Sequence, residues 1–439
     1  MKSQRETMLK AQSLVGAKAP SEPAATVADC QQNPVDACKA RHKTSWKLLF
    51  LVTQDFSFWD RRRPLAREAQ AAGAEVWVMT CPGPFAEKLT LEGFRVIPWH
   101  VSRASLNPVR ELYAFLQVLR VYRSLQPELV HHFALKPVVY GGLAARIYQN
   151  ISCVHSIVGL GSAFTAEHRT MHFVRWLLLR LLRTALKRKD ATCIFQNQDN
   201  LNDFVRSKIV RADQAVLIRG SGVNTQQFIP RPELRGVPVV ILPGRMLWEK
   251  GVREFVAAAE LLRAQGVSAR FALVGEPDAG HASSIPVSQL REWDASGVVE
   301  WWGQQDDMPG VFARSNVVCL PSYGEGVPKA LIEAAASGRA LVASEVPGCG
   351  EVVRHGENGF LVPAHSTEAL ARAMATLIED APLRAKMGAC GRVIAVREFS
   401  EELVHTQLLE VYRNLLEDRR AGDAVAGFDR RREYPAVSG

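Results

Sequence analysis

The chain has 439 residues, of which 47% are hydrophobic, and it carries a formal net charge of +9 at pH 7. This length is too great for one ordinary core, so we expect two domains, and the hydrophobic content excludes wholesale disorder. A basic chain can bind nucleic acid, an anionic membrane or a phosphorylated substrate. We expect no nucleic acid partner, because the sequence has no zinc-finger spacing, no aromatic RNP signature and no Lys-rich arm.

Three further features point to a cytoplasmic protein. No apolar run reaches the roughly 18 to 20 residues of a membrane-spanning helix, and the N-terminus has no apolar core followed by a cleavage site. The eight cysteines are scattered without C-x-x-C pairs. This usage favours reduced thiols in the cytosol over a disulfide framework or a zinc site.

Residues 1–44 are rich in Ala, Ser, Gln and Pro and predict a disordered leader. From Trp46 onward, short apolar runs alternate with helical patterns, including helices near Pro64–Ala71 and Val109–Leu125. A second alternating series begins near Val237, and the Gly- and Pro-rich stretch before it predicts a linker. Such alternation predicts parallel βαβ units.

The expected fold class is therefore α/β, with two Rossmann-like doubly wound domains that face each other across a cleft at the carboxyl ends of both sheets. The predicted boundaries are a leader (1–44), an N-terminal domain (45–222), a linker (223–236), a C-terminal domain (237–398), a C-terminal helix (399–420) and a tail (421–439).

Two carboxylates flank a predicted helix start in the second domain. Gly326 and Pro328 indicate a loop that runs into a helix, so Glu325 lies on the loop and Glu333 about a turn and a half inside the helix. The start of a helix binds phosphate readily, while carboxylates accept hydrogen bonds from sugar hydroxyls. The spacing alone is not specific, but the combination suits a nucleotide sugar.

Two cations are predicted on a neighbouring loop. Arg245 follows the first strand of the second domain, and Lys250 opens the next helix five residues later. A planar guanidinium and a compact ammonium together suit a diphosphate. Their position at the carboxyl end of a strand, in the same domain as Glu325 and Glu333, favours this interpretation over two solvated surface cations.

The sequence resembles the retaining glycosyltransferases of family 4, which have the GT-B fold. In the second domain the likeness is carried by GRMLWEKG at 244–251, by Val274-Gly275, by PSYGEGVPKALIEAAASG at 321–338 and by PGCGEVVRHGENGFLVP at 347–363. Four motifs of the first domain narrow this resemblance to one group within the family: VTQDFSFW at 52–59, KPVVYG at 136–141, GLG at 159–161 and GSGV at 220–223. These motifs resemble those of bacterial enzymes of the N-acetylgalactosaminyltransferase type, which extend polyprenyl-diphosphate-linked sugars.

This resemblance implies a role for each matching residue. The first domain would bind the acceptor and the second a UDP-sugar, whose diphosphate would contact Arg245 and Lys250. Glu333 would accept hydrogen bonds from the ribose, and Glu325 would contact the transferred sugar. Gly326 and Val327 would hold the sugar or its phosphate through their backbone, and the resemblance places Gly275 in the donor site as well. In the family, the retention of anomeric configuration is ascribed to attack by the acceptor on the face of the sugar that the leaving group occupies. The resemblance implies that this reaction needs no metal or other cofactor.

Histidine and aspartate pairs have competing interpretations. His131 and His132 end a strand of the first domain, where the resemblance implies a catalytic His beneath the donor sugar; we assign it to His132 and expect His131 to pack in the core. Asp306 and Asp307 are favoured as a helix cap over a metal site.

The first loop departs from many relatives, because Asp55–Asp60 has bulky aromatic residues in place of a Gly-Gly turn. We therefore expect this loop to recognise the acceptor rather than to approach phosphate.

Residues 169–189 predict a basic amphipathic helix. The side opposite the stripe of basic residues is apolar, and that stripe contains Trp176 with Arg169, His172, Arg180, Arg183 and Lys187. This pattern suits the surface of an anionic membrane, although a helix packed on the domain with a solvated basic face explains it equally well. A lipid-linked acceptor favours the first alternative and a peripheral position on the inner face of the cytoplasmic membrane.

The sequence as a whole predicts an enzyme that transfers a hexose or N-acetylhexosamine from UDP to a polyprenyl-diphosphate-linked saccharide during assembly of a surface polysaccharide or glycan. A nucleotide-sugar epimerase of the same fold is an alternative that needs no acceptor. An NAD-dependent oxidoreductase is disfavoured because G-x-G-x-x-G is missing after the strand that ends at Gly275. A silent binding subunit is disfavoured because Arg245, Lys250, Glu325 and Glu333 are all present.

Overall fold

Two parallel sheets organise the chain in the computed structural model, which describes residues 45–102, 105, 107–148, 150–157, 169–278 and 280–432. The predicted leader (1–44), the GLG segment at 159–161 and the last residues of the predicted tail (433–439) lie outside these ranges. The strands are β1 (Trp46–Leu51), β2 (Ala74–Thr80), β3 (Arg95–Pro98), β4 (Leu129–Phe133), β5 (Ser152–Ile157), β6 (Ala191–Phe195), β7 (Ala215–Leu217), β8 (Val239–Pro243), β9 (Arg270–Val274), β10 (Glu300–Gly303), β11 (Val317–Leu320), β12 (Ala340–Ser344) and β13 (Gly359–Val362).

Helices connect nearly all of these strands. They are α1 (Asp55–Arg61), α2 (Arg63–Ala71), α3 (Ala86–Leu91), α4 (Pro108–Leu125), α5 (Leu135–Ile147), α6 (Arg169–Leu186), α7 (Gln198–Arg206), α8 (Val252–Ala264), α9 (Val287–Ala295), α10 (Met308–Ala313), α11 (Lys329–Ala336), α12 (Pro347–Gly350), α13 (Thr367–Glu379), α14 (Ala381–Glu398) and α15 (Glu401–Arg432).

The strand order of both sheets is that of doubly wound domains. The first sheet runs β3-β2-β1-β4-β5-β6-β7 and the second β10-β9-β8-β11-β12-β13, with every pair parallel. In each sheet the order reverses beside the first strand, β1 or β8, which is the switch point where ligands of such folds bind. The two predicted Rossmann-like, doubly wound domains are thereby confirmed.

Apolar side chains cover both faces of each sheet. The central strands are apolar along their length, as expected for parallel strands between two helical layers; Leu48–Leu51 of β1 and Val240–Leu242 of β8 are fully buried. Two core clusters pack on the second sheet, one per face, and three pack on the two faces of the first sheet. These cores fix the backbone at the carboxyl ends of the strands, where the candidate site residues lie.

The last helix returns to the first domain. After α14 the chain crosses over, and α15 packs against α2 and β5 with Val404, Leu408, Tyr412 and Leu415 in the core of the first domain. This helix runs to Arg432, beyond residue 420 where the sequence predicted its end. No helix among the described residues has both the length and the apolar character required to cross a membrane.

Side chains near the candidate site also connect the two domains. Asn197, at the start of α7, donates its Nδ2 to the carbonyl of Gly326 (2.9 Å). Arg219 forms an ion pair with Glu351 (2.6 Å). These contacts hold the carboxyl edge of the first sheet against the loops that follow β11 and β12.

Candidate active site

The loop that follows β11 leads directly into α11. Pro328 lies immediately before the helix with φ −75° and ψ 113°, one residue earlier than a position in the first turn. Glu325 is therefore on the loop, and Glu333 is in the second turn of α11, as predicted. The first amides of α11 have no partner within the helix and give its start a partial positive charge.

Two glycines allow the backbone around this loop to pack closely. Gly251, immediately before α8, has φ 71°, and a Cβ at this position would collide with the carbonyl of Pro321. A Cβ at Gly348 would collide with the carbonyl of Gly326. The loop 321–327 is thus pressed between the starts of α8 and α12, so the places of Glu325 and Gly326 are defined by backbone contacts.

Lys250 and Glu325 form an ion pair within this packing. Lys250 Nζ lies 2.5 Å from Glu325 Oε1, and the side chains are 18% and 11% exposed. Ser322 Oγ donates to the same carboxylate oxygen at 2.7 Å. The structure therefore joins two residues that the sequence placed 75 positions apart, one expected to bind the diphosphate and one the sugar.

Arg245 and Gly275 lie on the neighbouring loops. Arg245 Nη1 is 2.6 Å from Asp278 Oδ2, and its side chain is 45% exposed. Gly275 has φ 140°, and a Cβ there would collide with the carbonyl of Gly244. A glycine is needed at this position so that the loops after β8 and β9 can approach each other. The ion pair leaves the guanidinium on the accessible side of these loops.

Val327 and Gly326 have structural partners. Val327 is buried and packs in one of the two cores of the second domain. The carbonyl of Gly326 accepts the hydrogen bond from Asn197 of the first domain. The loop therefore keeps one backbone group engaged across the domain boundary.

Glu333 is almost entirely buried at the domain boundary. Lys329, the first residue of α11, places its Nζ 3.3 Å from Glu333 Oε1 and 2.6 Å from Asp60 Oδ1 of α1. Burial raises the pKa of Glu333 to about 7, and the attraction of Lys329 opposes this rise. Burial would raise the pKa of Asp60 too, but the interactions with Lys329 hold it below its ordinary value.

The structure does not bring His132 to the cleft, contrary to the expectation for this residue. His132 is fully buried, hydrogen-bonded to Tyr122 of α4 (2.6 Å) and His155 of β5 (3.0 Å). His131 points to the opposite face of the sheet, where it contacts Tyr412 and Ser156, in line with its expected place in the core. Successive residues of a strand alternate between faces, and helices cover both faces of β4.

One cluster with metal-ligand residue types occurs among the described residues, and it lies in this same core. Atoms of His132, Cys153 and His155 are within 4.8 Å of one another. Burial raises the pKa of the Cys153 thiol to about 12, so the thiol keeps its proton at neutral pH. Burial, and then the charge of Arg188, lowers the pKa of His155 to about 3. Both ring nitrogens of His132 are already engaged, by Tyr122 and by His155, which suits a packed core.

The aspartate pair and the first loop have structural roles. Asp307 caps α10 by accepting from the amide of Gly310 (3.0 Å), as the sequence predicted. The first loop folds into α1, whose Phe58 is fully buried. Phe56, by contrast, is 49% exposed beside Phe85. One aromatic face of α1 thus remains accessible.

The exposed face of α6 is basic and aromatic where its side chains are described. Trp176 is 51% exposed, and the Arg180 guanidinium lies 5.1 Å from the centre of its ring. Arg183 and Lys187 are also exposed, whereas Leu182 and Ala185 are buried. The predicted orientation of these residues is confirmed; the side chains of Arg169 and His172 lie outside the described part.

Sequence reasoning missed Lys329 on α11 and the two residues that approach the site from the first domain, Asp60 and Asn197. Lys329 lies one helical turn before Glu333, so the usual i, i+4 spacing of an ion pair was a signal for it. Asp60 and Asn197 gave no such signal, because only the fold brings them to α11 and to Gly326.

Comparison with known proteins matches both domains to glycosyltransferase families. Residues 47–198 match the family described as "Glycosyl transferase 4-like", and residues 237–380 match "Glycosyl transferases group 1". The chain is 28% identical over 383 residues to the N,N'-diacetylbacillosaminyl-diphospho-undecaprenol alpha-1,3-N-acetylgalactosaminyltransferase of Campylobacter jejuni, covering 84% of this chain and 99% of that protein. It is 26% identical to the putative glycosyltransferase EpsD of Bacillus subtilis, covering 83% and 96%.

Solved structures share the fold. Sucrose-phosphate synthase from Thermosynechococcus elongatus superposes with a TM-score of 0.70 at 21% identity, over 85% of this chain and 100% of that one. Anabaena HepE in complex with UDP-glucose superposes with a TM-score of 0.67 at 21% identity, over 84% and 100%. With both domains matched and the relatives covered nearly end to end, the chain belongs to the glycosyltransferases of the GT-B fold, with a 4-like first domain and a group 1 second domain.

Proposed function

We propose that this glycosyltransferase moves a hexose or N-acetylhexosamine from a UDP-sugar to a saccharide carried on a polyprenyl diphosphate, with retention of anomeric configuration. The arrangement of Lys250, Glu325 and Glu333 around the start of α11 is the observation that carries the proposal. The name of the Campylobacter relative, which specifies a diphospho-undecaprenol acceptor, supports the acceptor class. The HepE complexes with UDP and UDP-glucose support the donor class.

The chemistry assigned to each group follows from charge. Breaking the bond between sugar and phosphate builds negative charge on the departing UDP, and Arg245, Lys250 and the amides at the start of α11 would stabilise it. Glu325 would accept hydrogen bonds from the transferred sugar, and Glu333 from the ribose. These cations would supply the positive charge without a metal, and attack from the leaving-group face would require no carboxylate nucleophile.

The same proposal places the enzyme at a membrane surface. A polyprenyl chain keeps the acceptor in the bilayer, so the enzyme has to approach the lipid headgroups. The exposed Trp176, Arg180 and Arg183 of α6 suit an anionic surface, in which the aromatic ring lies at headgroup level and the cations pair with phosphate.

The test is incubation of the protein with a panel of UDP- and GDP-sugars, first alone and then with a synthetic polyprenyl-diphosphate saccharide. We expect slow release of UDP from one donor, and much faster release together with a lengthened lipid-linked product when the acceptor is added. Conversion of a UDP-sugar to its epimer without acceptor would establish the epimerase instead. Transfer only to a water-soluble acceptor would contradict the lipid-linked class.

A further inference from the structure

We propose that Lys329 is a positioning residue of the donor site that ties the ribose-binding carboxylate, Glu333, to α1 of the first domain through Asp60. This inference rests on the proposed function, because it gives Glu333 the ribose. It assigns to Lys329 a role in both donor binding and the joining of the two domains.

One ammonium group makes all the contacts concerned. Lys329 Nζ lies 3.3 Å from Glu333 Oε1 on its own helix, and 2.6 Å from Asp60 Oδ1 and 3.2 Å from Asp60 O across the domain boundary. The three hydrogens of an ammonium match these three oxygens. The Lys329 side chain is 23% exposed and that of Glu333 9%, so water screens their interaction little.

The partner in α1 is held firmly. Asp55, at the start of this helix, accepts from the amides of Phe56 and Phe85 at 2.7 Å each. Phe58 is buried in the core of the first domain. Asp60 lies in the last turn of α1, where carbonyl groups have no partner within the helix and a cation is favourable. A lysine anchored there is fixed to the body of the first domain rather than to a loose loop.

Removal of the ammonium would change the charge of Glu333. The charged groups around this carboxyl are Lys329, Asp60 and Arg61, and Glu401 of α15 lies near Lys329. Lys329 lowers the pKa of Glu333, whereas Asp60 raises it. Without Lys329 the buried carboxyl would be protonated at neutral pH, and would lose one of the acceptor sites that ribose hydroxyls need.

Substitution of Lys329 and substitution of Asp60 should therefore shift the pH dependence of UDP binding in opposite directions. In Lys329→Met, the acid limb of UDP binding should move to higher pH, with UDP affinity at least tenfold weaker at pH 7 and largely recovered near pH 9. In Asp60→Asn, Glu333 loses a neighbouring negative charge and keeps Lys329. The acid limb should then move to lower pH, while kcat/KM for the acceptor falls because the link between the domains is lost.

The experiment is titration calorimetry of UDP against each variant from pH 5.5 to 9, together with acceptor kinetics. Lys329→Arg should keep the wild-type profile, and Lys386→Met, at an exposed position on α14, serves as the matched control. A Lys329→Met variant with wild-type affinity and an unshifted acid limb would overturn the proposal. Should that variant fail to fold, the direction of the Asp60→Asn shift decides instead, and an unshifted limb there would equally overturn it. Wild-type protein that binds no UDP at any pH would refute the proposed function itself.

Discussion

Glu333 is a buried carboxylate whose proposed function requires a charge that its surroundings oppose. Burial raises its pKa from 4.5 to about 7, so the folded protein retains a proton that the unfolded chain loses above pH 4.5. The free energy of unfolding contributed by this group therefore falls as pH rises from about 4.5 to 7, and the full penalty is present above pH 7. A rise of this size in the pKa corresponds to a loss of about 3 kcal/mol in the free energy of unfolding.

The variant Glu333→Gln should consequently stabilise the protein in the absence of ligand. An uncharged amide of similar shape avoids the penalty, so we expect the Tm to rise at pH 8.5 and to change little at pH 4.5. UDP affinity should fall at pH 8.5, where wild-type Glu333 is charged, and change little at pH 4.5, where it is already protonated; the substitution thus gains stability at the cost of function. Thermal unfolding of the ligand-free variant and wild type at the two pH values measures the effect. An equal Tm difference at both would contradict the role of the carboxylate charge.

Lys250 is expected to contribute to the reaction through its preorganised charge. Lys250→Ala should cost about 2 to 4 kcal/mol of transition-state stabilisation, which is roughly a 30- to 1,000-fold loss in kcat. Part of the loss comes from Glu325, whose carboxylate loses its partner at 2.5 Å. Single-turnover transfer measures the step, with Lys386→Ala as a surface control. Near-wild-type turnover of Lys250→Ala would refute the assignment.

Glu325 and Glu333 should differ in what their loss affects. Glu325→Gln should impair transfer more than UDP affinity, because its proposed partner is the sugar and not the nucleotide. Glu333→Gln should mainly weaken UDP. Lys250 and Glu325 are in contact, so the double variant Lys250→Ala with Glu325→Gln should lose less transition-state stabilisation than the sum of the losses in the two single variants. Purely additive losses would show that the ion pair does not act as a unit.

Single residues of the site differed in how well the sequence predicted them. Lys250 and Glu325 belong to local motifs, and each motif places its residue at a strand end whatever the other domain does. His132 also follows the pattern of a strand end, but its environment depends on Tyr122 and His155, which arrive from other elements. A single sequence does not show which elements of the fold contact each other. The same holds for Asp60, which approaches Glu333 only after both domains are folded.

Among the elements, α6 is predicted to carry membrane binding. Each cation near an anionic surface contributes about 1 kcal/mol, so loss of two should weaken partition roughly 30-fold, and reversal of their charge further. Arg180→Glu with Arg183→Glu should therefore abolish sedimentation with vesicles that contain anionic lipid. The matched control reverses Lys386 and Arg397, both exposed on α14. Unchanged sedimentation of the α6 variant would contradict the assignment.

Elements with a clear local boundary were predicted best. The sequence predicted a helix near Val109–Leu125, and α4 spans Pro108–Leu125, because Asn107 caps its start and Gln126 ends it in the left-handed conformation. The end of α15 was predicted too early. Its last segment is rich in Arg and contains Gly422 and Gly427, yet helix formers such as Ala between them sustain the helix to Arg432. Glycine weakens a helix by only about 1 kcal/mol, so a composition shift is a poor marker of its end.

At the scale of the whole molecule, α15 makes the first domain depend on the end of the chain. Leu408 and Tyr412 are buried in the core of the first domain, and Tyr412 is hydrogen-bonded to His131 of β4. The predicted N-terminal domain (45–222) therefore lacks part of its own core. Both domains were expected from alternating elements, but this crossover was not, since amphipathic periodicity does not tell which core a helix covers.

Substitution on opposite sides of α15 tests this dependence. Leu408→Ala removes a side chain that is 5% exposed and should cost about 2 to 5 kcal/mol. Leu403→Ala, at a position that is 36% exposed on the same helix, should cost much less. Hydrogen exchange of the β5 amides reports on the first domain, because α15 packs against β5. Faster exchange in Leu408→Ala alone would confirm that the C-terminal helix stabilises the first domain, and equal exchange in both variants would contradict it.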